Sequence, residues 1–507
     1  MRISQRLPVH LVLGALALLP LSGAAQEEKE SEERPITERV RFESDHSGTF
    51  NGESIQYRAI VTDFQLKRDN GKAFASVFTT SYLRDDVAEP DSRPVTFVFN
   101  GGPGSASVWL HMGVMGPRRV DVPSNAEHPG SPPYDVVDNP LSPLGVTDLV
   151  MIDPPGTGFS RLIGDGKPED VYGLKEDART VAAVVREWIR EHGRWNSPVF
   201  LAGESFGTTR AAAMLPELMR GSEPIAVAGV ALISQAMDYT GSTPYVDDNF
   251  ISFITYLPTM AATAWYHGKV ERGERTLEAF LDEVRAFSID EYLPALFRGS
   301  TLPENQGRDI AGKLARYLGL DVDYVLQSRL RVNASRFVKE LLRDEGLAVG
   351  RLDARYTADE VDDLSERPSF DAGSAAISAP YTAGLHKHLR EFLNVDLDRP
   401  YHTSGPDVGR NWVWDRTLSS GGEPHYVNTA PDLAWAMSYN PAFRVLVASG
   451  YYDFATPFFD AEYTLHRHGI DMSRVTMTYY EAGHMMYLHG PSREAVAADL
   501  RAFILGR

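Results

Sequence analysis

Cysteine is absent from the 507 residues of this chain, and positive charge is in short supply. Without cysteine the chain forms no disulfide and carries no lipid on an N-terminal cysteine. The 50 lysines and arginines are outnumbered by 69 aspartates and glutamates, which gives a formal net charge of −19. Because a protein that binds phosphate backbones needs concentrated lysine and arginine, we expect no nucleic-acid partner.

The N-terminus lacks an apolar run long enough to cross a bilayer. The run at residues 9–21 follows two arginines and ends in small residues, and it is shorter than the ~20 residues that span a membrane. This order is typical of a cleaved secretory signal peptide. We therefore expect residues 1–25 to be removed, no stable membrane insertion, and a secreted or periplasmic protein, most simply a bacterial one.

The next segment, residues 26–39, is acidic and poor in apolar residues, so we interpret it as a solvated linker. Folded structure should begin near Val40. The length and the 43% hydrophobic content allow one large domain with an insertion, or two domains.

Alternating apolar residues at 54–66 and 72–83 flank the dipeptide Asn70-Gly71, which predicts a β-hairpin and an antiparallel edge of a sheet. Short apolar runs then follow, as buried parallel strands require. An apolar face at helical spacing predicts a helix over residues 172–192. The predicted buried strands lie at residues 95–99, 148–152, 199–201, 227–233, 443–449 and 475–480.

Between residues 237 and 432 the strand signal mostly disappears, and apolar residues recur at helical spacing, for example from Leu277 to Phe287. We interpret this stretch as a largely helical insertion in the core. A helix over residues 492–504 should end the chain. The predicted division is core at 40–236, insertion at 237–432 and core again at 433–507.

The chemistry is centred on Gly203-Glu204-Ser205-Phe206-Gly207, which follows an apolar strand and precedes an Ala- and Met-rich helix from Thr208 to Met219. This strand, turn and helix context is the one in which a Gly-x-Ser-x-Gly motif exposes a nucleophilic serine in an α/β-hydrolase. Glycines flank the serine because bulkier residues would collide with neighbouring strands. The sequence therefore predicts Ser205 as a nucleophile.

A serine nucleophile needs a base and an orienting acid, which follow it in that fold in the order acid, then histidine. His484 comes after the last predicted strand and a glycine, so it is the predicted base. Asp453 follows the preceding strand and is the predicted acid. Asp460, further on in what should be a helix, is the rival, although it is better explained as a solvated or capping residue.

Upstream, the strand at residues 95–99 ends in Asn100-Gly101-Gly102-Pro103-Gly104. Such a loop leaves backbone N–H groups free, and no Lys-Ser or Lys-Thr follows it, as phosphate binding would require. In an α/β-hydrolase this position supplies half of the oxyanion hole, and the amide after the nucleophile, Phe206, supplies the rest.

These motifs resemble the serine carboxypeptidase family, peptidase family S10, as do residues 153–160, Asp-Pro-Pro-Gly-Thr-Gly-Phe-Ser, and the triplet Gly483-His484-Met485. The resemblance implies an α/β-hydrolase with a mostly parallel sheet that needs no metal or other cofactor and cleaves peptides with a free C-terminus. For the residues, it implies the triad Ser205, Asp453 and His484, the oxyanion amides of Gly102 and Phe206, and a site for the substrate carboxylate at Asn100, Gly101 and Glu204.

The sequence also departs from the family. Many members carry a second glutamate two residues before a Gly-Pro pair, and here Val114 stands at that position. We therefore expect Glu204 to ionise more readily than in members with the pair, which would weaken any acid preference. A further hypothesis makes Arg118 the countercharge for the substrate carboxylate.

Two other functions remain open at this point. The same triad could cleave esters or transfer the acyl group to an alcohol. From another class, the chain could be a non-catalytic binding protein on a hydrolase scaffold, which the complete set of triad residues makes a poorer interpretation.

Overall fold

A computed structural model describes residues 34–36, 38–244, 249–414 and 426–507. The predicted signal peptide and most of the predicted linker lie outside these residues. In the described part of the chain, no helix combines the length and the apolar character needed to cross a membrane.

Ten strands of the described residues form one sheet. In chain order they are β1 (Arg41–Phe50), β2 (Glu53–Lys67), β3 (Ala73–Arg84), β4 (Val95–Phe99), β5 (Asp148–Ile152), β6 (Arg161–Leu162), β7 (Val199–Ser205), β8 (Val227–Gln235), β9 (Arg444–Gly450) and β10 (Val475–Tyr480). Their spatial order is β1-β2-β3-β5-β4-β7-β8-β9-β10, and the short β6 pairs with β3.

From β5 to β10 neighbouring strands are parallel. Every residue of β4 and β5 is buried, because helices cover both faces of this part of the sheet. Successive side chains point to opposite faces, so Phe97 and Phe99 lie in one core cluster and Val98 lies in the other. The predicted mostly parallel sheet is confirmed.

The N-terminal strands are antiparallel, and the predicted hairpin is confirmed as β2 and β3. Gly71 occupies its turn at φ 81°, where a residue with a side chain is strained. The predicted antiparallel edge of the sheet is confirmed as well, and β1 extends it by pairing with β2 outside the hairpin. The pattern missed β1 because most of its residues are polar and alternate between exposed and partly buried positions.

The longer helices divide among the two faces of the sheet and the insertion. On one face, α1 and α2 share an apolar cluster with α10, and on the other face α9 and α12 both contribute to a second cluster. The helices are α1 (Leu174–His192), α2 (Phe206–Met219), α3 (Phe250–Tyr266), α4 (Leu277–Phe287), α5 (Leu293–Arg298), α6 (Glu304–Leu318), α7 (Val322–Gln327), α8 (Ala334–Glu340), α9 (Ala372–Lys387), α10 (Ala430–Tyr439), α11 (Phe458–Leu465) and α12 (Gly490–Leu505).

The predicted helix at residues 172–192 is α1, and the predicted C-terminal helix lies within α12. Helix α1 ends at Gly193, whose left-handed backbone at φ 66° terminates the helical hydrogen bonding. Helices α3 to α8 share an apolar cluster that also takes in Tyr451, Tyr452 and Phe454, just beyond β9. The described part of the insertion is thus largely helical, while its boundaries at 237 and 432 stay predictions.

Candidate active site

Ser205 is the last residue of β7, and α2 begins at the next residue. Its backbone at φ 60° and ψ −130° is a conformation that L-residues rarely adopt. Steric crowding explains why glycine flanks the turn on both sides, at Gly203 and Gly207. A Cβ on Gly203 would lie 2.3 Å from the carbonyl oxygen of Gly207, and one on Gly207 would lie 2.7 Å from the carbonyl oxygen of Phe99 in β4. The turn can therefore be made only with glycine on both sides of the serine.

His484 lies in the loop after β10, and Asp453 lies in the loop after β9. The imidazole Nδ1 is 2.7 Å from Asp453 Oδ2. Because a carboxylate only accepts hydrogen bonds, Nδ1 is the donor and Nε2 is left as the basic nitrogen. Ser205 and His484 line the same cavity. The structure therefore brings the three predicted triad residues to one place.

The Asp453 carboxylate is completely buried. It accepts hydrogen bonds from the backbone N–H groups of Ala455 and Thr456, at 2.7 and 3.0 Å, and from the Thr456 hydroxyl at 2.7 Å. Burial on its own lowers the pKa of His484, but the charge and hydrogen bond of Asp453 outweigh it, so the pKa of His484 lies above its ordinary 6.5.

The loop that carries His484 is held by the segment before α9. The His484 N–H donates to the carbonyl of Leu352 at 2.6 Å. A Cβ on Gly483 would lie 2.4 Å from the Cα of Asp353, so the glycine before the histidine is needed for close approach of two backbones. Asp353 itself forms a buried ion pair of 2.6 Å with Arg355. This contact fixes the histidine loop against the insertion.

The glycine-rich loop after β4 lies directly on the Ser205 turn. A Cβ on Gly101 would lie 2.5 Å from the backbone nitrogen of Phe206. Gly102 and Gly104 have φ of 105° and 100°, which only glycine adopts without strain. Gly102 lines the cavity, and the N–H of Phe206, as the first residue of α2, has no acceptor within the helix.

Two buried polar contacts hold this loop in place. Arg210 of α2 is fully buried and donates to the Asn100 carbonyl at 2.7 Å, and it binds Asp177 of α1 through two hydrogen bonds of 2.6 and 3.0 Å. Asp153 accepts from the backbone N–H and hydroxyl of Ser107 at 2.9 and 2.8 Å. Asp153, the first residue of the motif at residues 153–160, therefore helps to hold the glycine-rich loop in place.

Glu204, the residue before the serine, is buried beside the cavity. Asn100 Nδ2 donates to its Oε1 at 2.7 Å, and the Tyr487 hydroxyl donates to its Oε2 at 2.7 Å. Burial is the largest influence on this carboxyl group and raises its pKa to about 7. Below that pH Glu204 is mostly uncharged, so it can lie against an anionic group.

Sequence reasoning missed Tyr487, the second hydrogen-bond partner of Glu204. Val114 is buried in the core, while the ring of Tyr487 lies against the neighbouring Gly113, where a Cβ would come within 2.3 Å of it. Glu204 therefore has a hydroxyl partner from the other end of the chain. Burial raises the pKa of Glu204 although no second glutamate stands at Val114, and the comparison with members that carry the pair stays a prediction. Only a tyrosine three residues after His484 in the sequence could have suggested this partner.

Two hypotheses are wrong. Arg118 does not line the cavity: its guanidinium donates to the Val136 carbonyl at 2.8 Å and lies 5.0 Å above the Phe392 ring. Asp460 is not a solvated residue, because it is completely buried in the first turn of α11, and burial raises its pKa well above the usual range. The imidazole of His484 is bound by Asp453 instead.

The cavity has a volume of about 360 Å³. On the α2 side its wall includes Tyr239 and Trp414, whose ring centroids are 5.3 Å apart. On the His484 side it includes Met485 and Arg351, which sequence reasoning also missed. Among the residues that the structure describes, no group of three or more His, Asp or Glu side chains is arranged to hold a metal ion.

A mostly parallel sheet with a serine at a strand-to-helix elbow, followed by an aspartate and a histidine after two later strands, defines an α/β-hydrolase. Residues 75–275, which contain the elbow and the glycine-rich loop, match the family model of serine carboxypeptidase. Over this part of its length the chain is similar to the serine carboxypeptidase family, peptidase family S10.

One solved structure supports the fold, and a second is reported for comparison. A prohormone-processing carboxypeptidase from Saccharomyces cerevisiae matches over 89% of this chain and 91% of its own, with a TM-score of 0.54 and 13% identity. A proline iminopeptidase from Mycobacterium smegmatis matches over 88% and 99%, with a TM-score of 0.36 and 13% identity. No curated protein matches the chain by sequence.

Proposed function

We propose that this protein is a serine carboxypeptidase that releases C-terminal residues from peptides, with Ser205, His484 and Asp453 as its triad. The observation that carries the proposal is the 2.7 Å hydrogen bond between Asp453 and His484 at a cavity that Ser205 also lines. The match of residues 75–275 to the serine carboxypeptidase family supports the peptide as the substrate class.

The reaction proceeds in two acyl-transfer steps. His484 Nε2 takes the proton of the Ser205 hydroxyl while the oxygen attacks the scissile carbonyl, and the resulting oxyanion accepts hydrogen bonds from the amides of Gly102 and Phe206. His484 then gives the proton to the departing amine, which leaves an acyl-enzyme. Water then attacks the acyl-enzyme and loses a proton to His484. The bond between the acyl group and Ser205 breaks, His484 returns the proton to the Ser205 oxygen, and the shortened peptide is released.

Recognition of the C-terminal carboxylate is assigned to Asn100, Gly101 and Glu204. Glu204 is buried beside the nucleophile, and its carboxyl group is uncharged below pH 7 because burial raises its pKa to about 7. A protonated carboxyl group can donate a hydrogen bond to a carboxylate, whereas an ionised one repels it. This preference distinguishes a carboxypeptidase from an endopeptidase.

The test is to digest a defined peptide library with the protein and to identify the products by mass spectrometry. Residues should leave one at a time from the C-terminus, and peptides with a C-terminal amide should be cut far more slowly. Ser205→Ala should lower kcat by several orders of magnitude. Ser378→Ala is the matched control, because Ser378 lines the same cavity but donates its hydroxyl hydrogen bond to Ser374 at 2.6 Å.

The alternative functions give different results in the same experiment. Turnover of matched esters without turnover of peptides would show an esterase or acyltransferase. Failure of a fluorophosphonate probe to label Ser205 would show a non-catalytic protein. Either result would overturn the proposal.

We also propose export, on the basis of residues 1–25. N-terminal sequencing of the protein purified from the periplasm or medium of an expressing bacterium should find a mature chain that begins near residue 26. A chain that keeps its first residues would contradict this.

A further inference from the structure

Arg351 is a positively charged residue on the wall of the candidate active site. It lies in the segment before α9, is exposed, and lines the cavity together with Ser205 and His484. The chain has a formal net charge of −19, so a positive charge on the wall of this cavity suggests a specific role for Arg351.

The guanidinium group of Arg351 is free of protein partners within the described part of the chain. Its backbone is fixed, because its N–H donates to Asp371 Oδ1 at 2.7 Å and its carbonyl accepts from Phe454 at 3.0 Å. Arg355, four residues later, is buried and bound to Asp353 instead. Arg351 is thus held at the cavity by its main chain while its charged group is available to a ligand.

Asp371, which accepts the backbone N–H of Arg351, is already bound by other donors. As the N-cap of α9, its carboxylate accepts hydrogen bonds from the backbone N–H groups of Arg351, Gly373 and Ser374 and from the Ser374 hydroxyl. Four donors on one carboxylate satisfy most of its hydrogen-bonding capacity. The Asp371 carboxylate therefore does not neutralise the Arg351 guanidinium in place of a substrate carboxylate.

The position of Arg351 relative to His484 indicates which part of a substrate it meets. His484 gives its proton to the departing amine, so the departing residue lies on the His484 side of Ser205. Arg351 is on this side, since the carbonyl of its neighbour Leu352 accepts the His484 N–H at 2.6 Å. The charge of Arg351 also acts to lower the pKa of His484. The aromatic wall of Tyr239 and Trp414 is on the α2 side.

We propose that Arg351 binds a carboxylate of the departing residue and thereby gives the enzyme a preference for peptides that end in glutamate or aspartate. This inference rests on the carboxypeptidase function proposed above. A guanidinium group binds carboxylates through paired N–H donors, which suits it to an acidic side chain. The terminal carboxylate of the same residue stays with Asn100 and Glu204.

The experiment compares two blocked dipeptides that differ only in a C-terminal glutamate or glutamine. At pH 6 a glutamate side chain in the substrate is ionised, while Glu204 is mostly uncharged. The full-length protein should favour the glutamate substrate. Arg351→Gln should lower kcat/KM for it about tenfold, mainly through KM, and change the glutamine substrate by less than about twofold.

Three further variants sharpen this comparison. Arg351→Lys should keep part of the preference, and Arg351→Glu should transfer it to a substrate that ends in lysine. Arg367→Gln is the matched control, because Arg367 is also exposed and lines an adjacent pocket with Arg351 but not the cavity of Ser205. Its selectivity should equal that of the unmodified protein.

Three results are informative. Equal loss on both substrates in Arg351→Gln would place the terminal carboxylate at Arg351 and overturn the acidic preference. No loss on either would overturn the proposal entirely. If the unmodified protein releases no C-terminal residue from either substrate, the proposed function itself fails, which is a separate outcome.

Discussion

Tyr487, three residues after His484, donates a 2.7 Å hydrogen bond to Glu204, the residue before Ser205. The bond joins the loop of the proposed base to the turn of the proposed nucleophile. The side chains of Tyr487, Glu204 and His484 are buried. The protonation of Glu204 and the position of the two catalytic loops are therefore physically linked.

Removing the Tyr487 hydroxyl should change the pH profile. Its hydrogen bond acts to lower the pKa of Glu204, so Tyr487→Phe should raise that pKa further above 7. The carboxyl group then stays uncharged to higher pH, and the alkaline rise in KM for free-acid peptides should shift to higher pH. The profile of kcat/KM against pH measures this.

Tyr480→Phe is the control, since the Tyr480 hydroxyl donates to Asp499 at 2.7 Å instead of to Glu204. Its alkaline limb should coincide with that of the unmodified protein. An unchanged limb in Tyr487→Phe would show that the hydroxyl has no influence on Glu204.

The contrast between Ser205 and Tyr487 explains how much the sequence could predict. Ser205 lies in a local pattern of strand, glycines and helix, and local backbone physics dictates such patterns. The same is true of the buried parallel strands and of the order in which Asp453 and His484 follow them. These features could be predicted because each depends on a few consecutive residues.

Tyr487, Arg210 and Arg351 could not be predicted, because each owes its place to contacts with distant parts of the chain. Tyr487 meets a residue that is 283 positions away. Arg210 looks like a helix surface residue until its contacts with Asp177 and Asn100 are known. Strand β1 was missed for a different reason, since its polar residues give no apolar signal and only pairing with β2 orders it.

The raised pKa of Glu204 also predicts how stability depends on pH. A carboxyl group with a folded-state pKa of about 7, against an ordinary 4.5, stabilises the fold fully below pH 4.5 and loses that contribution as pH rises through 7. Glu204→Gln, which cannot ionise, should therefore gain about 3 kcal/mol of unfolding free energy relative to the unmodified protein between pH 4.5 and pH 8.

Chemical denaturation of both proteins at the two pH values measures this difference. Glu481→Gln is the control, because Glu481 is exposed in the same loop as His484, and its effect should be the same at both pH values. If the difference for Glu204→Gln does not change with pH, Glu204 does not titrate in this range.

The assignment of Asp453 rather than Asp460 as the acid can be tested by a pair of variants. Asp453→Asn should lower kcat by roughly 10⁴-fold, because the imidazole loses its orienting acceptor. Loss of the negative charge should also lower the pKa of His484 and shift the acidic limb of kcat to lower pH. Asp460→Asn keeps the size of a buried side chain that has no contact with His484, and burial raises the pKa of its carboxyl group, so kcat should stay near that of the unmodified protein. The opposite pattern would make Asp460 the acid.

Variants of Arg210 should separate an effect on stability from an effect on activity. Arg210→Met leaves the buried Asp177 carboxylate unpaired and should cost about 3–5 kcal/mol of unfolding free energy. The double variant Arg210→Met/Asp177→Leu removes both charges and should recover much of that loss. Both variants lack the hydrogen bond from Arg210 to the Asn100 carbonyl, which holds the glycine-rich loop on the Ser205 turn. The double variant should therefore be stable but should keep a kcat that is reduced about tenfold. Full recovery of kcat together with stability would show that Arg210 acts only on folding.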